Sequence, residues 1–408
     1  MSDAPAPQSR LTPVHKLLVA AFVMDLAVAM VGLAVQFRGN QLGAAPVLLG
    51  LLGTVGSFAY TVGCLFTGRL SDRFGRRALT GASCMICAAA WLVMTRAGSP
   101  LQLLSIVPFS GGAIAMFWPP LQAWLSEVTV GGRRRLIANV GSFNVAWTAG
   151  LMLGPPVAGF AWVLGYSAPF VIAAVAVLAT LALLSTVPAR VDGGGQAAPD
   201  DAQEQTPNGE VARRFLYLAW IANFASWFGR GMNIVVFPKL GSDLGYSERT
   251  IGVVIAALLA GQLVMFALLR TRSGWRYRVW PMTVSLAVGA AGYALAYLSG
   301  SPGAFAASFA LSGFGAGVTY VASLYYSLEG GADRKGGRAG IHEAVLGTGL
   351  FLGPLMGGLV GQALNLRAPY VATVLVFLAT AAAMHLVSHR MQRSEVAAER
   401  ALLEVAGE

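Results

Sequence analysis

A charged island interrupts a long apolar part of the chain and reads Gly68-Arg69-Leu70-Ser71-Asp72-Arg73-Phe74-Gly75-Arg76-Arg77. The segments on either side, 44–67 and 78–95, contain no charged residue. The island holds four arginines and one aspartate, and charges of this density are too costly to place in lipid. The stretch therefore predicts a tight, charged turn at a water interface between two membrane-spanning helices.

The composition is that of a polytopic membrane protein. Of the 408 residues, 56% are hydrophobic and 11% are charged, whereas a soluble domain carries about 25% charged residues. Because a span needs about 20 apolar residues, the chain has room for roughly a dozen spans. The net charge of +10 lies in short loops between apolar runs, which favours a membrane protein over a nucleic-acid partner. The three cysteines, all in apolar runs, imply no disulfide framework.

We predict twelve membrane-spanning helices, because only helices or closed barrels satisfy the backbone in lipid and the apolar runs lack strand-like alternation. The predicted spans are about 15–37, 44–67, 78–96, 101–125, 140–163, 167–187, 214–237, 250–269, 279–299, 303–327, 340–363 and 368–388. Arginine and lysine concentrate in the even-numbered connections. This bias predicts that those loops and both termini are cytoplasmic, in a cell (inner) membrane. The stretch Phe117-Trp118-Pro119-Pro120 predicts a distorted fourth helix.

The two halves of the sequence repeat each other. The fifth span reads Gly141-x8-Gly150-x3-Gly154-Pro155-x2-Ala158-Gly159, and the eleventh reads Gly340-x8-Gly349-x3-Gly353-Pro354-x2-Gly357-Gly358. Near the second and eighth spans, Leu42-Gly43-x5-Leu49-Gly50 matches Leu244-Gly245-x5-Ile251-Gly252. Matches in the same order predict two six-helix halves that run in the same orientation.

We therefore predict an all-α integral membrane protein with twelve transmembrane helices in two six-helix bundles. Between the bundles lies a segment with three consecutive glycines, two prolines and several acids, which predicts a disordered cytoplasmic linker. The predicted division is 1–14 for an N-terminal tail, 15–188 for the first bundle, 189–212 for the linker, 213–388 for the second bundle and 389–408 for a cytoplasmic tail.

The charged island resembles the signature that the major facilitator superfamily of secondary transporters carries between its second and third helices. The pattern G-x-L-S-D-R-x-G-R-R matches in spacing, and the resemblance extends over about 12–390. The glycine-proline row of the fifth span also resembles a motif of antiporters in the drug-efflux-like branch. The resemblance implies alternating access through a central cavity lined by helices one, four, seven and ten. The stretch 107–111 lacks the arginine that many drug exporters of the family carry in helix four, so proton coupling would depend more on Asp25.

The resemblance also implies a cytoplasmic gate, in which Asp72 docks against the start of the eleventh helix and the arginines meet acids such as Glu127. The alternative is a positive-inside loop without a gating role. The predicted gate residues are Gly68, Asp72, Arg73, Gly75, Arg76, Arg77, Glu127 and Glu343. The glycine rows predict close helix packing, and a seam that flexes as the halves rock. The seam residues are Gly150, Gly154, Pro155, Gly159, Gly349, Gly353, Pro354 and Gly358.

Charged residues also lie inside the predicted spans, where a charge indicates function by default. Asp25 lies about 14 Å deep in the first helix and is predicted to accept a proton. The alternative is a structural role, in which neighbouring hydroxyls or Arg230 satisfy its carboxyl. Arg230 could bind an anionic group of the substrate, pair with Asp25 or extend to the outer interface. For His342 and Glu343, near the start of the eleventh helix, we favour a structural gate role. The other predicted cavity residues are Trp118, Gln122, Asn223, Trp227 and Tyr320.

These features predict a secondary active transporter that exports a small, amphiphilic organic solute with protons as the coupling ion. The alternatives are an importer or facilitator of a sugar-like or organic-acid solute and, in another class, a non-transporting receptor or scaffold. No nucleophile–base pair or metal-ligand spacing stands out, so we expect no enzymatic activity, no metal and no cofactor. The expected partners are the solute, protons and the lipid bilayer, without nucleic acid, and a monomer suffices.

Overall fold

A computed structural model describes residues 11–189, 191, 209–270, 272, 274–328 and 332–406. All the regular structure within these ranges is helical. The helices are α1 (Pro13–Gln41), α2 (Pro46–Phe74), α3 (Arg76–Met94), α4 (Pro100–Ala115), α5 (Trp118–Val128), α6 (Gly132–Trp162), α7 (Ala168–Leu184), α8 (Gly209–Asp243), α9 (Glu248–Arg270), α10 (Trp280–Leu298), α11 (Pro302–Leu328), α12 (Ala332–Ala363) and α13 (Ala368–Ala406). Together α4 and α5 make the fourth span, so the predicted twelve-helix membrane fold is confirmed. By length and composition alone, nine spans of the described chain could cross a membrane.

The fourth span is broken where the proline pair lies. α4 ends at Ala115 and α5 begins at Trp118. Pro119 and Pro120 lie in the first turn of α5, where a missing amide N–H costs little. The predicted distortion of this helix is therefore confirmed as a break between two shorter helices.

Six spans pack together in each half of the chain. In the first bundle, α1 packs against α6 and α7, while α2 and α3 pack against α4. In the second bundle, α8 packs against α11, α12 and α13, and α11 also packs against α9 and α10. The main contacts between the bundles are α2 against α12 and α6 against α9, which are equivalent pairs in the sequence repeat.

The sequence repeat produces equivalent geometry at these two crossings. The turns before α2 and α9 each hold a glycine with positive φ, at 79° and 78°. A Cβ atom on Gly50 would lie 2.7 Å from the carbonyl oxygen of Pro354, and one on Gly252 would meet the carbonyl of Pro155. Each crossing therefore sets a glycine of one bundle against a proline of the other, with no room for a side chain.

The molecule has two ends along the helix axes. We call the end that carries the α2–α3 turn the basic face and the other end the opposite face. Lys16, near the start of α1, donates from Nζ to Thr186 Oγ1 at 2.7 Å. Trp124 of α5 donates from Nε1 to the carbonyl of Pro188 at 2.9 Å. The start of α1 and the ends of α5 and α7 therefore lie together on the basic face.

Several helices extend past the predicted spans. α2 runs to Phe74 and α3 begins at Arg76, so the predicted ten-residue turn at 68–77 is helical except at Gly75. α6 and α12 begin at Gly132 and Ala332, before the predicted starts at about 140 and 340.

α8 and α13 also cross the predicted domain boundaries. α8 already begins at Gly209, inside the predicted linker, and Glu210 in its first turn stabilises the positive end of the helix dipole. α13 continues past residue 388 to Ala406, because no glycine or proline occurs between Pro369 and Ala406. The rest of the predicted linker, apart from 189 and 191, and the first ten residues of the predicted N-terminal tail lie outside the described residues.

Candidate functional site

Asp25 lies deep inside the first bundle. It is about 18 Å from the start of α1 at Pro13, at 1.5 Å per residue, and it is 5% exposed. Within the described chain, no group donates a hydrogen bond to its carboxyl and no cation lies within 4.0 Å of it. A carboxylate held this deep without a partner is costly, which distinguishes Asp25 from the paired acids of the basic face.

Arg230 is the corresponding buried cation in the second bundle. It lies about 20 Å before the end of α8 at Asp243 and is 8% exposed, so it does not extend to either face. Its Cζ atom lies 4.8 Å from the ring centroid of Trp227, a cation–π contact. Its Nη1 atom is buried without a hydrogen-bond partner. Arg230 interacts electrostatically with Asp25, yet the two side chains do not form an ion pair.

Aromatic rings converge on Tyr320 of α11 at the interface of the bundles. The centroid of Tyr320 lies 5.8 Å from Trp147, 6.2 Å from Trp227, 5.5 Å from Phe266 and 5.6 Å from His342. We call these five residues the Tyr320 cluster. Trp147 comes from α6 of the first bundle and the other four come from the second, so the cluster bridges the two halves.

A second acid lies on the α12 side of the Tyr320 cluster. Glu343 interacts electrostatically with Tyr60 and Cys64 of α2 and with Tyr320. No described residue forms a hydrogen bond or an ion pair with its carboxyl. The neighbouring His342 is 1% exposed, its Nδ1 atom lies 2.7 Å from a serine hydroxyl of α11, and its Nε2 atom has no partner. An unpaired acid of each bundle, Asp25 and Glu343, therefore interacts electrostatically with Tyr320.

A small cavity adjoins the guanidinium of Arg230. It has room for about one water molecule, so it cannot hold an organic solute in this conformation. Its lining comes from α8, α9 and α11 of the second bundle. The lining residues are Ser226, Trp227, Arg230, Leu258, Gln262 and Ala316.

The predicted cavity residues divide into two groups. Trp227, Arg230 and Tyr320 come together, and Asp25 interacts electrostatically with Arg230. Asn223 lies on the same helix as Arg230, fully buried, and both amide atoms of its side chain lack a hydrogen-bond partner.

Two other predicted cavity residues lie apart from the cluster. Trp118 packs inside the first bundle, 5.9 Å from the ring of Phe143, and Gln122 is exposed on α5. Sequence reasoning did not single out Tyr60, Trp147 or Phe266.

The α2–α3 turn is organised by Arg76. Its Nη2 and Nε atoms each lie 3.1 Å from Glu127 Oε1, and its Nη1 atom lies 2.5 Å from Asp72 Oδ1. Arg76 also donates to the hydroxyl of Ser71. The turn requires Gly75, whose φ is +91°, a conformation that other residues rarely adopt. Asp72 is 65% exposed.

The other residues of the charged island make fewer contacts. Arg77 donates to the carbonyl of Ser185, and Arg73 lies 5.4 Å from the ring of Phe74. A Cβ atom on Gly68 would meet nothing within 4 Å. At the start of α12, where Asp72 is predicted to dock, the side chains of 332–337, 339 and 340 lie outside the described set.

Each glycine-proline row has two sides. Gly150 and Gly154 contact the backbone of α1, and Gly349 and Gly353 contact the backbone of α8, in each case within one bundle. The rest of each row faces the other bundle. These residues are Pro155 and Gly159, against α9, and Pro354 and Gly358, against α2. Half of each row therefore holds a bundle together, while the other half lies at the contact between bundles.

We expect Arg76→Gln to weaken the basic face, because it breaks a partly buried ion pair that joins α3 to α5. The side chains of Arg76 and Glu127 are 19% and 22% exposed, so the pair should stabilise the fold by about 1 kcal/mol. A double-mutant cycle with Glu127→Gln, measured by thermal unfolding in detergent, should show this coupling energy. Arg73→Gln is the control, because Arg73 is exposed and forms no ion pair with any described residue. Additive effects of the two substitutions would contradict the assignment.

No group of three or more metal-binding side chains occurs in the part of the chain that the structure describes. The polar groups near the Tyr320 cluster are carboxyls, a guanidinium, an imidazole, amides and hydroxyls. This arrangement can bind and release protons and can contact an organic molecule.

The chain matches the family model described as Major Facilitator Superfamily over residues 17–216 and 219–405. Two curated relatives from Mycobacterium tuberculosis, strains H37Rv and CDC 1551, are described as uncharacterized MFS-type transporters. Each is 30% identical over 120 residues, which is 29% of this chain and 28% of the relative, so the match spans less than a third of their length.

Solved structures resemble the chain along most of its length. A bacterial homolog of the human lysosomal transporter Spinster, in an inward-facing and unoccupied conformation, gives a TM-score of 0.74 at 16% identity, covering 93% of this chain and 97% of that one. The nucleoside transporter NupG gives 0.67 at 11% identity, covering 94% and 99%. A POT family transporter in complex with 5-aminolevulinic acid gives 0.73 at 11% identity, covering 93% and 96%. At these identities the likeness shows the fold alone.

Proposed function

We propose that the chain, which belongs to the major facilitator superfamily, functions in membrane transport as a secondary active transporter of a small, amphiphilic organic solute. The solute binds between the two bundles, which rock around it so that the site opens to one face at a time. Protons drive the cycle. We further propose that the protein acts as a monomer and has no enzymatic activity.

The observation that carries this proposal is the buried, unpaired carboxyl of Asp25, which interacts electrostatically with Arg230 and Tyr320 of the other bundle. A carboxyl at this depth is most easily accommodated when it is protonated, and it can ionise when water reaches it. Asp25 lies on α1, while the electrostatic partner Arg230 and most of the Tyr320 cluster lie in the other bundle. Relative movement of the bundles therefore changes the environment of Asp25, which is what coupling to a proton gradient requires.

We propose export as the direction, with the basic face and both termini on the cytoplasmic side of a cell (inner) membrane. The excess of arginine at the α2–α3 turn supports this orientation. The glycine-proline row of α6 supports export through its resemblance to the antiporter motif. In this scheme Arg76, Asp72 and Glu127 act as the cytoplasmic gate, and the crossings of α2 with α12 and α6 with α9 close the opposite face.

Uptake of an organic acid is the second candidate, because the unpartnered guanidinium of Arg230 favours an anionic solute. A sugar-like solute has no comparable feature to support it. A receptor or scaffold would not need unpaired charges at the centre of the membrane.

Counterflow in sealed proteoliposomes tests the proposal. Vesicles are loaded with one unlabelled compound at a time from a panel of amphiphilic amines, neutral aromatics and organic acids, and influx of the labelled compound is followed. At least one compound should show transient accumulation that empty vesicles lack. An imposed pH gradient, with its sign reversed in a second set, then gives the direction of coupling. Absence of counterflow across the panel, with the protein shown to be folded, would argue for the receptor instead.

A further inference from the structure

The buried guanidinium of Arg230 has no ligand of its own within the described protein. It lies at membrane depth, and neither a hydrogen bond nor an ion pair reaches it from any described residue. A buried cation without a counter-ion strongly destabilises a folded protein. A chain that keeps such a residue in its core needs a partner for it in some step of its cycle.

Asp25 does not serve as that partner here. The two residues lie in different bundles and interact only beyond ion-pair distance. Snorkelling is also ruled out, because Nη1 is fully enclosed and the side chain is 8% exposed. The guanidinium is instead held in place by the face of Trp227, at 4.8 Å. This contact fixes the plane of the group while leaving its N–H donors available.

The surroundings of Arg230 suit one kind of ligand. The adjoining cavity presents the amide of Gln262, 3% exposed, and the hydroxyl of Ser226, 6% exposed. Ser226 is 2.8 Å from Thr319 Oγ1, so it is oriented by a neighbour. A fork of guanidinium N–H donors beside an amide and a hydroxyl matches the oxygens of a carboxylate or another oxyanion. Trp227 lines this cavity and also belongs to the Tyr320 cluster, so the two adjoin.

We propose that Arg230, Gln262 and Ser226 form a subsite for the acidic group of the solute. The solute is therefore an amphiphilic organic anion whose oxyanion binds Arg230 and whose apolar part lies against the Tyr320 cluster. The present cavity has room for about one water molecule, so the site opens to full size in another conformation. This assignment rests on the proposed transport function and narrows it to a class of solute.

Matched pairs of ligands test the subsite without a membrane gradient. Purified protein in detergent is titrated with 2-naphthoate and its neutral partner 2-naphthamide, and with octanoate and octanamide. In the wild type we expect each acid to bind about tenfold more tightly than its amide, the factor that a charge-assisted hydrogen bond supplies. Arg230→Gln should remove this preference, and Arg230→Lys should keep only part of it.

Arg249→Gln is the matched control. Arg249 also lies over an aromatic ring, 5.7 Å from the centroid of Phe160, but it is exposed on the opposite face. The Arg249→Gln substitution should leave the preference for acids unchanged.

Thermal unfolding gives a second test. If the guanidinium of Arg230 is unpaired without a ligand, the ligand-free Arg230→Gln protein should unfold at a higher temperature than the wild type, because a buried unpaired charge is gone. If that variant does not fold, Gln262→Leu should reduce the preference for acids by a smaller factor.

An acid preference that survives in Arg230→Gln, or acids that bind no better than amides to the wild type, would overturn the subsite. These results are separate from those of the transport assay. Acids that bind through Arg230 without any counterflow would refute the transport proposal and leave the subsite intact. Counterflow of amines or neutral compounds with no acid binding would do the reverse.

Discussion

Asp25→Asn is expected to abolish proton-driven transport while leaving counterflow of the solute in place. The asparagine side chain has the same shape and cannot bind or release a proton at physiological pH. The carboxyl is 5% exposed and has no ion-pair partner, so no salt bridge is broken by the change. We expect accumulation driven by a pH gradient to fall by about tenfold or more, since charged groups at this depth are rarely kept without a function. Counterflow needs no driving ion and should remain within about twofold.

Asp243→Asn is the control for this substitution. Asp243 is also an aspartate near a cation, 2.5 Å from Lys239 Nζ, but it lies at the end of α8 and is exposed. It should change neither accumulation nor counterflow. Unchanged accumulation in Asp25→Asn would show that coupling does not depend on this residue. Loss of both activities, in a protein that unfolds at the wild-type temperature, would instead place Asp25 in solute binding.

The membrane architecture could be predicted from the sequence because its determinants are local. The apolar runs, the charged turns and the proline pair each act on their own segment of chain. Most predicted span limits lie within a few residues of the helix ends, whereas α2, α6 and α12 run further into the charged connections on the basic face. The break between Ala115 and Trp118 follows from Pro119 and Pro120. The start of α8 and the end of α13 lie outside the predicted membrane spans. Both helices continue beyond the membrane, where hydropathy gives no signal and only helix propensity remains.

The site was harder to predict, because it depends on which face each helix turns to the centre. Arg230 and Asp25 stood out as charges in apolar runs. Trp147 and Phe266 did not, since an aromatic residue in an apolar helix is equally suited to face lipid. Gln122 stays a prediction: it lies on α5, after the break in the fourth span, and its side chain is exposed.

The glycine rows carry a signal that sequence reasoning left unused. Gly150 and Gly159 are nine positions apart, which at 3.6 residues per turn is about two and a half turns. They therefore lie on opposite sides of α6 and face different neighbours. The structure shows what each side contacts: Gly150 contacts α1 within its bundle, and Gly159 contacts α9 of the other. The equivalent positions in α12 divide in the same way.

This division leads to the second large effect, at Gly358. We expect Gly358→Val to stop transport without unfolding the protein. Its Cβ atom would lie 2.8 Å from the carbonyl oxygen of Pro46 and 2.9 Å from Cα of Gly50, both in the other bundle. Backbone atoms cannot move aside as a side chain can, so the two bundles must separate at the opposite face. Each bundle keeps its own packing, and counterflow should fall by about tenfold or more because this face no longer closes.

Gly353→Val is the matched comparison, since it adds the same side chain to the same helix. Its Cβ atom would meet the backbone of α8, 2.7 Å from the amide nitrogen of Met232, inside one bundle. Overpacking of that kind costs about 1–3 kcal/mol or more, so Gly353→Val should lower the unfolding temperature, whereas Gly358→Val should leave it nearly unchanged. Spin labels at Gln41→Cys and Leu364→Cys, on exposed ends of the two bundles with Cys64 replaced, report their separation. The distance between the labels should increase by several ångströms in Gly358→Val alone, because only there do the two bundles lose their contact. An unchanged distance with normal counterflow would show that α12 can accommodate the side chain within its own bundle.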